Sequence, residues 1–171
     1  IDNELKGRNL MFFNGELIKW EGSNLIFLDK EGNDKWVKDF PFQDPQIILG
    51  DKFIYVMDKS TGDIYKVTKN GDTQLRIQLK QPIFNLKEEK GYIIAHIKDL
   101  EDKLVFFDSV GSTIIDIPIE GNVLTYSIDN DGKNFVYSIL NTDESNLEST
   151  LFQHKKDSQV IKLDINNEII L

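Results

Sequence analysis

At four places along this chain an apolar run ends in a short polar turn, and the turns return at a nearly constant interval. They are "DKEGND" (Asp29 to Asp34), "TKNGDT" (Thr68 to Thr73), "DSVGST" (Asp108 to Thr113) and "HKKDSQ" (His154 to Gln159). With Gly32, Gly71, Gly111 and Asp157 as equivalent markers, the spacings are 39, 40 and 46 residues. Such a period constrains the fold more than any composition does, because each unit has to build the same supersecondary structure and stack on its neighbours.

The register is a stricter test than the turn spelling, since a slip of one residue turns every side chain of a strand to the other face. Four residues after each marker an alternating run begins: Leu75, Ile77 and Leu79; Ile115, Ile117 and Ile119; Ile161, Leu163 and Ile165. The first unit places Trp36, Lys38 and Phe40 there and departs at its middle position. Upstream of the markers lie "NLIFLD", "DIYKVT", "KLVFFD" and "STLFQH"; before them "ELIKWE", "KFIYVMD", "YIIAHIK" and "NFVYSIL"; and before those "NLMFF", "PQIIL", "PIFNL" and "NVLTYSI". Four short strands per unit of ~40 residues predict an all-β fold of four-stranded antiparallel β-propeller blades. The blades span approximately 8–40, 45–80, 82–120 and 122–165, in one domain over 1–171. Continuous apolar runs such as "FIYVM" and "YIIA" fit inner strands, and Pro118 fits an edge strand, where a missing N–H costs little. An all-β sandwich or open meander is the competing architecture.

The stretch "YVMDKSTGDIYKV" (Tyr55 to Val67) resembles the strand–turn–strand core of quinoprotein-like (PQQ-like) propeller repeats. It carries an Asp, then Thr-Gly, then an aromatic residue: Asp58, Thr61, Gly62 and Tyr65. Tyr65 stands where that repeat has tryptophan, and the other three units lack Thr-Gly. The resemblance implies a propeller architecture; no quinone site is carried over, and no cofactor is expected. More loosely, the chain is similar to uncharacterised propeller-like domains of low-GC Gram-positive bacteria.

Residues 166–171 read as the start of a further strand, with Ile169, Ile170 and Leu171 echoing Ile47, Ile48 and Leu49. That leaves three ways to complete a ring: the tail closes four blades, a homodimer joins two half-rings, or the chain is part of a larger propeller.

The net charge of -9 argues against nucleic acid, which needs a basic face, and against anionic membrane surfaces. With no cysteine, disulfides, thiolate metal sites and cysteine nucleophiles are excluded. No apolar run reaches the roughly 20 residues of a transmembrane helix. The chain begins at Ile1, so any targeting signal is expected to lie outside it or to have been removed. An extracellular or cell-surface location is expected, with a cytoplasmic one as the alternative.

His96 and His154 fall in different units without a second histidine at ligand spacing, and they read as ordinary strand residues. "DNDGKN" (Asp129 to Asn134) begins like a calcium loop but lacks the distal bidentate Glu, and Asp-Gly between strands is a hairpin signal. Neither a nucleophile elbow nor a glycine-rich phosphate loop is present. The candidate contact residues lie in two kinds of connection. "DFPFQDP" (Asp39 to Pro45) offers Phe42, as exposed anchor or as part of the inter-blade core, together with Asp44; two acidic loops offer Asp99, Glu101 and Asp102, and Asp143 and Glu144. The expected function is a non-catalytic scaffold recognising a protein or other macromolecule through a loop face. The alternative is a carbohydrate-active enzyme or carbohydrate-binding module using these acidic and aromatic residues, since paired carboxylates serve glycoside hydrolysis.

Overall fold

The computed structural model describes residues 10–100, 102–143, 146–156 and 160–163; for 142, 143, 146 and 147 it describes the backbone alone. Within these the secondary structure is entirely β, in four antiparallel four-stranded meanders. The first is β1 (Leu10–Phe13), β2 (Glu16–Glu21), β3 (Asn24–Leu28) and β4 (Asp34–Asp39). The second is β5 (Pro45–Leu49), β6 (Ile54–Asp58), β7 (Asp63–Val67) and β8 (Thr73–Gln78). The third is β9 (Asn85–Glu89), β10 (Tyr92–Lys98), β11 (Asp102–Phe107) and β12 (Thr113–Pro118). The fourth is β13 (Asn122–Ile128), β14 (Asn134–Asp143), β15 (Asn146–Lys155) and β16 (Ile161–Leu163). Each is the four-stranded blade that the repeat predicted, and Pro118 lies on the edge strand β12.

The recurring turn has one construction in the first three sheets. Gly32 N–H donates to the Asp29 carbonyl at 3.2 Å and Asp29 N–H to the Asn33 carbonyl at 2.9 Å; the same pair of bonds joins Thr68, Gly71 and Asp72, and Asp108, Gly111 and Ser112. The leading side chain braces the loop. Asp29 Oδ1 accepts from the N–H groups of Glu31 and Asn33, Thr68 Oγ1 from those of Asn70 and Asp72, and Asp108 Oδ1 from those of Val110 and Ser112. Gly32, Gly71 and Gly111 take φ of 87°, 89° and 86°, a left-handed conformation that closes a three-residue hairpin with a bulge. The ladder accordingly slips at Phe27/Leu28, Lys66/Val67 and Phe106/Phe107. The fourth marker, Asp157, lies outside the described residues, as do 166–171.

The chain divides into two compact units between Lys80 and Gln81. In the first, Phe13, Ile18, Leu25 and Phe27 of one sheet pack with Ile54, Val56 and Val67 of the next. Burial of each such side chain contributes about 1.5–3 kcal/mol. The departure at Lys38 has a local cause: its Nζ donates to the Gly71 carbonyl at 3.0 Å, next to a 2.9 Å bond from Trp36 Nε1 to the Lys69 carbonyl. A polar residue at this register therefore ties the outer strand to the following turn. In the second unit Ile94, Leu104, Phe106 and Ile117 pack with Tyr126, Ile128, Phe135, Tyr137 and Ile139.

Two sequence boundaries are corrected. The third unit's first strand is Asn85–Glu89 rather than "PIFNL", because Lys90 and Gly91 at φ 55° and 85° make a two-residue hairpin that pairs Glu89 with Tyr92. The segment carrying Asp143 is no acidic loop: β14 and β15 extend as paired strands up to Asp143 opposite Asn146.

Candidate functional site

In the first unit the connection from β4 to β5 is fastened to the β6–β7 turn. Asp58, ending β6, is 3% exposed. Its carboxylate accepts from the N–H groups of Gln43 (3.2 Å), Asp44 (3.2 Å) and Ser60 (3.0 Å), and from Ser60 Oγ (2.6 Å). In return the Asp44 carbonyl accepts from Lys59 N–H at 2.9 Å. Burial alone would raise the Asp58 carboxyl, but the hydrogen bonds outweigh it and hold the group below its ordinary value. The loop is thus clamped by an ionised side chain.

Clamping fixes the aromatic residues of the connection. Phe40 is buried; Phe42 is half-buried, with ring centroids 5.4 Å from Phe40 and 5.7 Å from Tyr65 of β7. The Arg76 guanidinium of β8 lies over the Tyr65 ring at 5.1 Å and pairs with Asp63 at 3.1 Å. These groups, with Lys38, Asp39 and Thr61, line an open cavity of about 300 Å³. Its lining combines aromatic rings, the Lys38 and Arg76 cations and the carboxylates of Asp39, Asp58 and Asp63. Such a surface packs on an apolar or aromatic side chain while its guanidinium meets an anionic group.

The predicted contact residues fall in different places. Phe42 lines the cavity and Asp44 is exposed on the clamped connection. Asp99 is exposed in the β10–β11 connection of the second unit, where Asp102 opens β11. Asp143 ends β14; Glu101 and Glu144 lie outside the described residues. Sequence reasoning missed Lys38 and Arg76, which read there as the departing and the solvent-side positions of outer strands. It also missed the bracing role of Asp58.

Asp102 reaches toward the buried His96, with Oδ1 3.8 Å from Nε2, beyond hydrogen-bond length. His96 is flanked edge-on by Phe84 and Tyr126, and Asn85 Nδ2 donates to the Tyr126 hydroxyl at 3.2 Å. Burial lowers the His96 pKa, opposed by Asp102 and assisted by Lys98. Because the folded value lies below the unfolded one, acid favours the unfolded chain as pH falls below about 6.5. Thermal melts should show stability declining from pH 7 toward pH 5, and His96→Phe should flatten that decline; an unchanged slope in the variant would refute the assignment. Elsewhere, Asp129 Oδ1 accepts from Lys133 N–H at 2.8 Å, Oδ2 accepts from Asn134 Nδ2, and the Asp129 carbonyl accepts from Gly132 N–H at 3.3 Å, so the calcium-like segment is a braced hairpin turn. Among the described residues no group of three or more His, Asp or Glu is placed to hold a metal ion, and no helix is long and apolar enough to cross a membrane.

With this geometry in view, residues 2–166 match a family described as "Family of unknown function (DUF5711)". The chain belongs to this family. No curated protein matches the sequence. Among solved structures, KlAtg21 in complex with the coiled coil of AgAtg16 is similar with a TM-score of 0.63 at 13% identity, over 91% of this chain and 55% of that one. Virginiamycin B lyase from Staphylococcus aureus gives 0.53 at 12% identity over 90% and 64%, and the Neurospora crassa Pan2 WD40 domain 0.50 at 14% over 85% and 48%. These are likenesses of fold, and the fold is propeller-type. The chain spans about half to two thirds of each of these solved chains.

Proposed function

We propose that this DUF5711 chain is a propeller-type recognition module that binds a protein segment at the cavity of its first unit. The observation that carries the reading is the joint lining by Phe42, Tyr65 and Arg76: the connection carrying Phe42 is held by the Asp58 clamp, and the Arg76 cation by Asp63 and the Tyr65 ring. Aromatic residues and arginine dominate interface energetics, and their immobilisation before binding reduces the ordering cost. The likeness to KlAtg21, solved in complex with a coiled coil, supports a protein as ligand. The favoured ligand segment places an acidic residue beside an apolar or aromatic one, to meet Arg76 and the rings together.

The test is selection from a displayed random-peptide library, followed by affinity measurement on Phe42→Ser and Arg76→Ala. The wild-type chain should enrich peptides with that pairing, and each substitution should weaken binding at least tenfold while leaving the melting temperature within a few degrees. Binding unaffected by both substitutions would reject this cavity. The carbohydrate alternative is read on a glycan array: saturable glycan binding lost in Phe42→Ser, with no peptide enriched, would replace the proposal.

A further inference from the structure

The repeat bears on a face of the first sheet whose edge strands, β1 and β4, carry exposed apolar side chains. Strand alternation gives that sheet two sides. Phe13, Ile18, Leu25 and Phe27 enter the core of the first unit. Leu10, Phe12, Leu17, Ile26 and Leu28 share the other side: Phe12 stands opposite Leu17, Leu17 opposite Leu28, and Ile26 opposite Val37. The edge strands leave this side exposed, Phe12 at 75%, Val37 at 51% and Leu10 at 47%, whereas at its centre Ile26 is buried and Leu17 and Leu28 are half-buried. On β2 Lys19 and Glu21 interrupt the apolar surface and pair with each other at 2.8 Å.

Aligning the two sheets of this unit by their turns, Asp29 on Thr68, identifies what such a face is built to meet. Leu10, Phe12, Leu17, Ile26 and Leu28 become equivalent to Ile47, Leu49, Ile54, Tyr65 and Val67. That is the face of the second sheet which the first sheet covers, and there Ile54 and Val67 are 0% exposed. The same side therefore takes a blade in one repeat, while in the other Leu10 and Phe12 on its edge strand stand exposed. An apolar face of this kind marks an interaction site rather than a solvated surface.

We propose that the outward face of the first sheet docks the fourth sheet of a second copy of this chain. The fourth sheet supplies the matching side. Phe135, Tyr137 and Ile139 enter the second unit's core, while Val136 and Leu140 alternate to the opposite side, where Leu151 pairs with Leu163. None of these four is fully buried. Sheet three, through Ile94, Leu104 and Phe106, packs on the other side of the fourth sheet and leaves this one to a different neighbour. The propeller-type chains to which this one is similar are longer, this chain covering 48%, 55% and 64% of three of them. A second copy supplies blades of the same register.

The experiment reads mass and proximity. Light scattering across a wide concentration series should give a particle of twice the 19.8 kDa chain; Phe12→Lys should halve it with an unchanged circular dichroism spectrum, and Val37→Lys is the second variant should the first fail to fold. Because the chain has no cysteine, Phe12→Cys and Leu151→Cys can then be mixed with a short bismaleimide. A product of doubled mass formed only in the mixture is the expected result. A monomer at all concentrations, a dimer that survives Phe12→Lys and Val37→Lys, or Phe12→Cys crosslinking to itself would each overturn the proposal.

Discussion

Asp58→Ala should lower the stability of the chain by about 3 kcal/mol, or about 10 °C in melting temperature for a domain of this size. The carboxylate accepts four hydrogen bonds, three from backbone N–H groups of Gln43, Asp44 and Ser60. Truncation leaves these donors without their acceptor around a residue that is 3% exposed. Hydrogen bonds to a charged group contribute about 1.5–3 kcal/mol each, less when they share one acceptor. Because the folded carboxyl is held below its ordinary value, the stabilisation is present above the unfolded pKa of about 3.9 and is lost as pH falls through the folded one. Acid titration monitored by fluorescence should therefore lose one carboxylate contribution in Asp58→Asn. Binding should fall with the clamp, since Phe42 is held through the same connection. A variant as stable as wild type would show that the loop is positioned by its aromatic packing alone.

Phe106→Ala should cost about 3–5 kcal/mol, the range for emptying a fully buried aromatic site. Phe106 is 0% exposed and meets Phe135 edge-on at 4.8 Å, at the centre of the second unit's core. Equilibrium denaturation measures the loss, and Phe106→Leu should recover part of it because less volume is left unfilled. The contrast with Asp58→Ala lies in binding. Where the variant remains folded, Phe106→Ala should leave peptide affinity unchanged, for it touches none of the groups lining the first unit's cavity. A loss below about 1 kcal/mol would contradict the packing described.

How far the sequence spoke depends on the range of the interaction. The turns were legible because each is local: Asp29, Gly32 and Asn33 close a loop within five residues, and the same spelling recurs at Asp108. The outer strands followed because their alternation is periodic. The third unit's first strand was misplaced because Lys87, Glu88 and Glu89 carry charge in a strand, supported by Lys87 Nζ on the Tyr126 carbonyl and Ser127 Oγ on Glu89. Those partners lie nearly forty residues away and leave no local trace. The cavity was legible only through Phe42. Its other elements come from strands and turns up to 38 residues apart, and Arg76 reads in sequence as one more solvent-side residue until Tyr65 is seen beneath it.

The first unit's cavity is the proposed place where a ligand is held. The most direct measurement is a two-dimensional amide spectrum of the 15N-labelled chain titrated with an enriched peptide. Shifts should concentrate at residues 38–44, at 58–65 and at Arg76, and be absent in Phe42→Ser. Shifts centred instead on the His96 and Asp102 neighbourhood would contradict binding at this cavity.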